Sequence, residues 1–123
     1  MRSRGLILVL LAMVAGSALA HHSFAMFDMA AEKKLVGTVK EMQWTNPHIW
    51  VQVLVMDGKS GTPVEWSIEG GSPNGLARAG WRRNSIKAGD AVEVIIHPLK
   101  DGTNGGSLVS VAVNGVQIGG ARS

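Results

Sequence analysis

The chain has 123 residues, a formal net charge of +3, a pI near 9.7, 46% apolar and 17% charged side chains, and no cysteine. These values exclude a disulfide framework and thiolate chemistry, and they bound the fold to one compact domain with a modest core. The basic excess owes much to Arg2 and Arg4; without them 10 of the 12 basic side chains face 9 acidic ones, which is not the footprint of a nucleic-acid binder.

Residues 1–20 read as a secretory signal peptide. A basic Met-Arg-Ser-Arg start precedes an apolar run from Gly5 to Ala15, and Ala18-Leu19-Ala20 supplies the small residues of a cleavage site. A membrane anchor is the rival reading, but a span needs roughly 20 apolar residues and this run is shorter. Cleavage at Ala20-His21 predicts a periplasmic or secreted protein with no transmembrane segment in its mature chain. The mature chain divides into an N-terminal segment at 21–33, a β-domain at 34–118 and a flexible tail at 119–123.

Leu35 to Gln43 is the first predicted strand, ended by the turn chemistry of Trp44-Thr45-Asn46-Pro47, where Pro47 fixes its own φ and restricts Asn46. His48 to Met56 alternates at period two, with Ile49, Val51, Val53 and Val55 on one face and His48, Trp50, Gln52, Leu54 and Met56 on the other. After the turn cluster Asp57 to Gly61, the strand Val64 to Glu69 sets Val64, Trp66 and Ile68 against Glu65, Ser67 and Glu69. Ser72 as N-cap and Pro73 at the first helical position predict a short helix over Pro73 to Ala79, stopped by Gly80. Trp81 to Asp90 reads as a loop and Ala91 to His97 as a strand ended by Pro98. Asp101 to Gly106 reads as a long turn, Ser107 to Val113 as a strand, and Asn114-Gly115 as a hairpin turn into Val116 to Ile118. Three strands, a helix and two or three further strands give an all-β class with one short helix: a small OB-fold-like barrel of five to six strands. A β-sandwich is the alternative.

Cleavage would make His21 the first residue, followed by His22. A terminal amine and its own imidazole chelate one metal, and a nearby second imidazole completes the nitrogen-rich tetragonal set that suits Cu(II). This terminus resembles the histidine brace of copper-dependent polysaccharide monooxygenases and the termini of some periplasmic copper carriers. Met26 and Met29 add soft thioethers of the kind Cu(I) prefers. The plain alternative is a polar terminus docked by Phe24 and Phe27. His48 sits at the mouth of the first inter-strand loop and reads either as a further ligand or as a turn histidine bonded to a backbone carbonyl, with Asn46 capping the turn. His97 reads first as an exposed strand-end histidine.

Four tryptophans in so short a chain suggest a stacking surface. Trp50 alternates away from the valine face and is the foremost candidate, with Trp44 and Asn46 beside it. Trp66 belongs by parity to the core, and Trp44 and Trp81 also suit the covering of barrel openings. Arg82 and Arg83, with Arg78 and Lys87, form the local positive patch, which a solvated loop face also explains. No nucleophile elbow, zinc-protease helix or Walker lysine pattern occurs, so binding is expected rather than catalysis.

His21-His22-Ser23-Phe24 with Asp28, Gly37-Thr38-Val39, Trp44-Thr45-Asn46-Pro47-His48, Trp66, Ser72-Pro73 with Leu76, Gly80-Trp81 and Gly89-Asp90 together resemble a family of short uncharacterised bacterial periplasmic proteins. The resemblance covers nearly the whole mature chain and implies export and one small domain, with no activity attached. The leading expectation is a small monomeric periplasmic protein that handles copper through His21, with His22, His48 and Met26 completing the site. The alternative is a metal-free adaptor that binds a glycan or an envelope protein through Trp44, Trp50, Asn46, Arg82 and Arg83. An oxidative copper enzyme is a third reading.

Overall fold

The computed structural model describes residues 24–120. It comprises strands β1 (Lys33–Gln43), β2 (Trp50–Met56) and β3 (Pro63–Glu69), helix α1 (Pro73–Arg78), then β4 (Ala91–Pro98), β5 (Gly105–Val113) and β6 (Val116–Ile118). The strands follow the order β3-β2-β1-β4-β5-β6, and a parallel pairing of β3 with β5 closes the first five into a barrel. β6 hangs on β5 outside that closure. This is the expected small OB-like barrel.

β1 makes the closure possible because it serves two partners. Its first half pairs with β4 and its second half with β2, and the register slips between Val39 and Glu41. Such a bulge bends the strand and raises its twist. At the bend, Val39, opposite Val53 of β2, also donates its backbone N–H to the Asp90 carbonyl and accepts from the Gly89 N–H in the turn before β4.

The core is assembled from the inward positions of this alternation. Ile49, Val51 and Val53 of the β2 region, Ile68 of β3, Val92, Val94 and Ile96 of β4, and Leu108 and Val111 of β5 are all buried. Leu76 on α1, Trp81 and Ile86 join them from the connection between β3 and β4. α1 is short but well capped: the Ser72 hydroxyl accepts from the Gly75 N–H at 3.1 Å, and Pro73 occupies the first turn. The Trp81 indole N–H donates to the Gly119 carbonyl at 2.7 Å, tying the exit of β6 to the loop after α1.

Several boundaries differ from the sequence reading. β1 begins at Lys33 because Lys33 and Lys34 pair with Ile96 and Ile95 while their side chains stay in solvent. β2 begins at Trp50; the Asn46-Pro47 peptide is cis, and Ile49 bonds to Gly70 and Gly71 rather than to β1. β5 begins at Gly105, inside the stretch that reads as a turn. Gly105 and Gly106 pair with Ser67 and Ile68, so the glycines are the seam of the barrel. A Cβ on Gly106 would stand 2.6 Å from the His97 carbonyl oxygen, which explains why only glycine fits there. α1 ends at Arg78, with Ala79 as its C-cap. Trp66 is half-buried at the core's edge rather than inside it, and the Lys33 ammonium lies 5.3 Å from its ring centroid.

Candidate functional site

The closed topology links residues from all five barrel strands into one band around the wall. Gln43 stands opposite Trp50, Trp50 opposite Glu69, Glu69 beside Ser107, and Ser107 opposite His97. Gln43, Trp50, Glu69 and His97 are half-buried and alternate with the inward-facing Met42, Val51, Ile68 and Ile96, whereas Ser107 is buried. One step along, Glu41, Gln52 and Ser67 form a second row. The strand 2–3 face of an OB-fold and its flanking loops are where such barrels take ligands.

Trp50 is half-buried at the centre of this face. Trp44 and Trp66, by contrast, pack against the core. Around Trp50 stand amides and carboxylates: Gln43, Gln52, Glu41 and Glu69. Nearby, Lys40 bridges over β2 to Glu65 at 2.7 Å, and that hydrogen bond holds the Lys40 ammonium above its usual range. With Lys40 paired off, Glu41 and Glu69 leave the face acidic. The loop between β4 and β5 is braced by Asp101, which accepts from the Thr103 hydroxyl at 2.6 Å and its N–H at 2.9 Å. Those bonds hold the Asp101 carboxyl below its usual range.

His48 closes one end of the band. Its Nδ1 lies 3.1 Å from the Gly70 carbonyl oxygen and its Nε2 3.6 Å from Glu69 Oε1. The Thr45 hydroxyl, not Asn46, braces the turn by donating to the His48 carbonyl at 3.1 Å. Asn46 is exposed and makes no side-chain hydrogen bond among the described residues. His97 is half-buried, with Nδ1 2.8 Å from the Ala31 carbonyl oxygen, so it pins the N-terminal segment rather than standing free.

That segment is fixed at further points. Phe27 is buried and bridges to Leu99, the Asp28 N–H donates to the Pro98 carbonyl, and the Lys100 N–H donates to the Met26 carbonyl. Met26, Met29 and Phe24 are half or more exposed. Met26 therefore lies beside Lys100, while His48 lies beside Gly70. His21 and His22 lie outside the described residues. Arg82 and Arg83 are exposed in the loop before β4, and neither side chain has a hydrogen-bond or ion-pair partner among the described residues. No group of three His, Cys, Asp or Glu side chains gathers to hold a metal among the described residues. An open depression of about 350 Å³ on another wall, lined by Val36, Gly37, Ala91, Glu93, Ala112 and Gly115, contains none of the candidates.

The sequence model of one family matches residues 9–109, most of the chain. The chain belongs to DUF6152, a family of unknown function. No curated protein and no solved structure matches it. For this DUF6152 chain sequence reasoning missed Gln43 and, at the end of the band, Glu69. Alternation puts it on the outer face with Glu65 and Ser67, but only the β2–β3 register and the Gly70-Gly71 turn bring it to Trp50 and His48. No helix among the described residues is long and apolar enough to cross a membrane.

Proposed function

We propose that the chain is an exported binding module whose outer β2–β3 face takes a neutral glycan of the bacterial envelope. The observation that carries this reading is Trp50, half-buried on the outer wall with Gln43 and Glu69 directly opposite it on the two neighbouring strands. A flat indole bordered by amides and carboxylates suits a sugar ring, whose apolar face stacks while its hydroxyls hydrogen-bond at the edge. The acidic balance of Glu41 and Glu69 disfavours nucleic acids and other polyanions. Arg82 and Arg83, on a separate loop, would serve a contact with an acidic envelope protein. The signal-like residues 1–20 support export to the periplasm.

A second reading, copper handling through a mature N-terminal His21 with His22, His48 and Met26, draws support from the N-terminal segment. Its anchoring at Phe27 and Asp28 holds the exposed Met26 and Met29 thioethers a few residues from the histidines. Soft thioethers beside imidazoles suit copper in either oxidation state.

Trp50→Ala tests the glycan reading. It is expected to weaken binding to neutral N-acetylglucosamine oligosaccharides roughly 5- to 150-fold, the equivalent of about 1–3 kcal/mol of stacking, while thermal unfolding changes little. Isothermal titration checks it. Equal affinity of variant and wild type would remove Trp50 from the ligand site.

A further inference from the structure

We infer that Arg78, Arg82, Arg83 and Lys87 form a docking surface for an acidic segment of an envelope protein, one that presents several carboxylates side by side. The charge distribution points there first. Residues 24–120 carry nine basic and nine acidic side chains, but four of the cations stand within Arg78–Lys87, a stretch with no acid. The remainder keeps five against nine, so a body neutral as a whole has one cationic pole. The type of cation differs as well. Arg78, Arg82 and Arg83 are the three arginines of residues 24–120, and every other cation in that range except Lys87 lies outside the stretch and is a lysine. Arginine is enriched and lysine depleted at protein interfaces, where the flat guanidinium takes carboxylates through paired hydrogen bonds.

These four side chains are exposed, and none has a hydrogen-bond or ion-pair partner among the described residues. By contrast, Lys34 bridges to Glu93 and Lys40 to Glu65, each at 2.7 Å, and Lys33 lies over Trp66. Asp90, the next acid along the chain, accepts from the Lys87 backbone N–H at 2.8 Å and faces the Asn114 amide at 3.5 Å, so it neutralises none of the four. The surface is also held in place before any partner arrives. Trp81 and Ile86, 2% and 1% exposed, root the loop in the core on either side of Arg82 and Arg83. Between them the Arg82 N–H donates to the Ser85 hydroxyl at 2.8 Å, and the Ser85 N–H to the Arg82 carbonyl at 3.0 Å. A backbone fixed in this way leaves mainly side-chain freedom to lose on association. With Trp81 and Ile86 buried, the loop has no large apolar side chain to insert into a lipid interface, and charge alone is one signal where stable membrane anchoring takes two. An acidic protein surface is the occupant that fits.

This docking surface extends the Arg82–Arg83 contact of the proposed function, rests on that reading for its place in the envelope, and is independent of Trp50. The test is fluorescence anisotropy of a labelled oligoglutamate peptide with the processed protein. Wild type and Trp50→Ala are expected to bind it alike, with affinity falling as salt rises. Arg82→Glu combined with Arg83→Glu should weaken binding about tenfold or more, while urea unfolding and the binding of N-acetylglucosamine oligosaccharides stay at wild-type values. Lys59→Glu combined with Lys100→Glu makes the same charge change at exposed residues outside the loop and should cost less than about fivefold. Arg82→Lys combined with Arg83→Lys keeps the charge and should still weaken binding severalfold, because the forked hydrogen bonds are lost. Equal losses in the two charge-reversed pairs would reduce the effect to net charge and overturn the inference, as would no peptide binding by wild type at low salt. Wild-type affinity in the lysine pair, or tighter binding to phosphatidylglycerol vesicles than to the peptide, would assign the patch to a charged surface such as lipid and equally overturn it. Failure of oligosaccharide binding would count against the glycan reading and leave this surface standing.

Discussion

Trp81→Ala is expected to lower the unfolding free energy by about 3–5 kcal/mol. That is a large share of the ~5–15 kcal/mol available to a domain of this size. Trp81 is 2% exposed, and it enters the core with Leu76 and Ile86 from the connection between α1 and β4. Truncation leaves a cavity where these three side chains meet the barrel strands. It also removes the indole N–H that donates to the Gly119 carbonyl at 2.7 Å, releasing the exit of β6. Trp81→Phe separates the two losses: it keeps most of the packing and forfeits the hydrogen bond, for about 1 kcal/mol. Urea denaturation of both variants checks the pair. A small effect of Trp81→Ala would mean that the indole covers the core rather than fills it.

Gly106→Ala carries the second large effect, opposite in sign to the usual glycine-to-alanine change within a strand, which is favourable by roughly 0.5–1 kcal/mol. The new Cβ would stand 2.6 Å from the His97 carbonyl oxygen and 2.7 Å from the Ile96 Cδ1 atom. Ile96 Cδ1 can rotate away, but the His97 carbonyl belongs to the β4 backbone and cannot. Relief requires β5 to move off β4 at the residues where β5 also pairs with β3. The expected loss is about 1–3 kcal/mol, read as a lower urea midpoint. Gly119→Ala is the control: nothing lies within 4 Å of its added Cβ, so stability should change by less than about 0.5 kcal/mol.

What could be read from the sequence was what local chemistry determines. The alternation of Ile49, Val51 and Val53 against Trp50 and Gln52 is a period-two pattern, and those apolar side chains are the buried ones. Ser72 caps α1 with its hydroxyl. Asn114 and Gly115 take φ values of +50° and +84°, as a tight hairpin turn requires. The illegible parts depend on non-local pairing. Gly105 and Gly106 look like turn residues until β3 is brought beside them, and Lys33 reads as part of the N-terminal segment until β4 is. Glu69 has no visible partner in the sequence, because His48 reaches it only through the Ile49–Gly70 backbone bonds. Trp66 shows the limit of parity: it points inward but sits at the barrel's rim, where Lys33 covers it. Trp50 was legible as a candidate from its parity alone, and its neighbours Gln43 and Glu69 were not.

The most direct test is two-dimensional NMR of the processed protein during titration with neutral N-acetylglucosamine oligosaccharides, following backbone amides and tryptophan indole N–H groups together. The account predicts the largest shifts at the Trp50 indole and at Gln43, Gln52, Ser67 and Glu69, with Trp81 and the β6 hairpin unmoved. Shifts centred on the Val36–Ala112 wall, or none at all at saturating oligosaccharide, would contradict it.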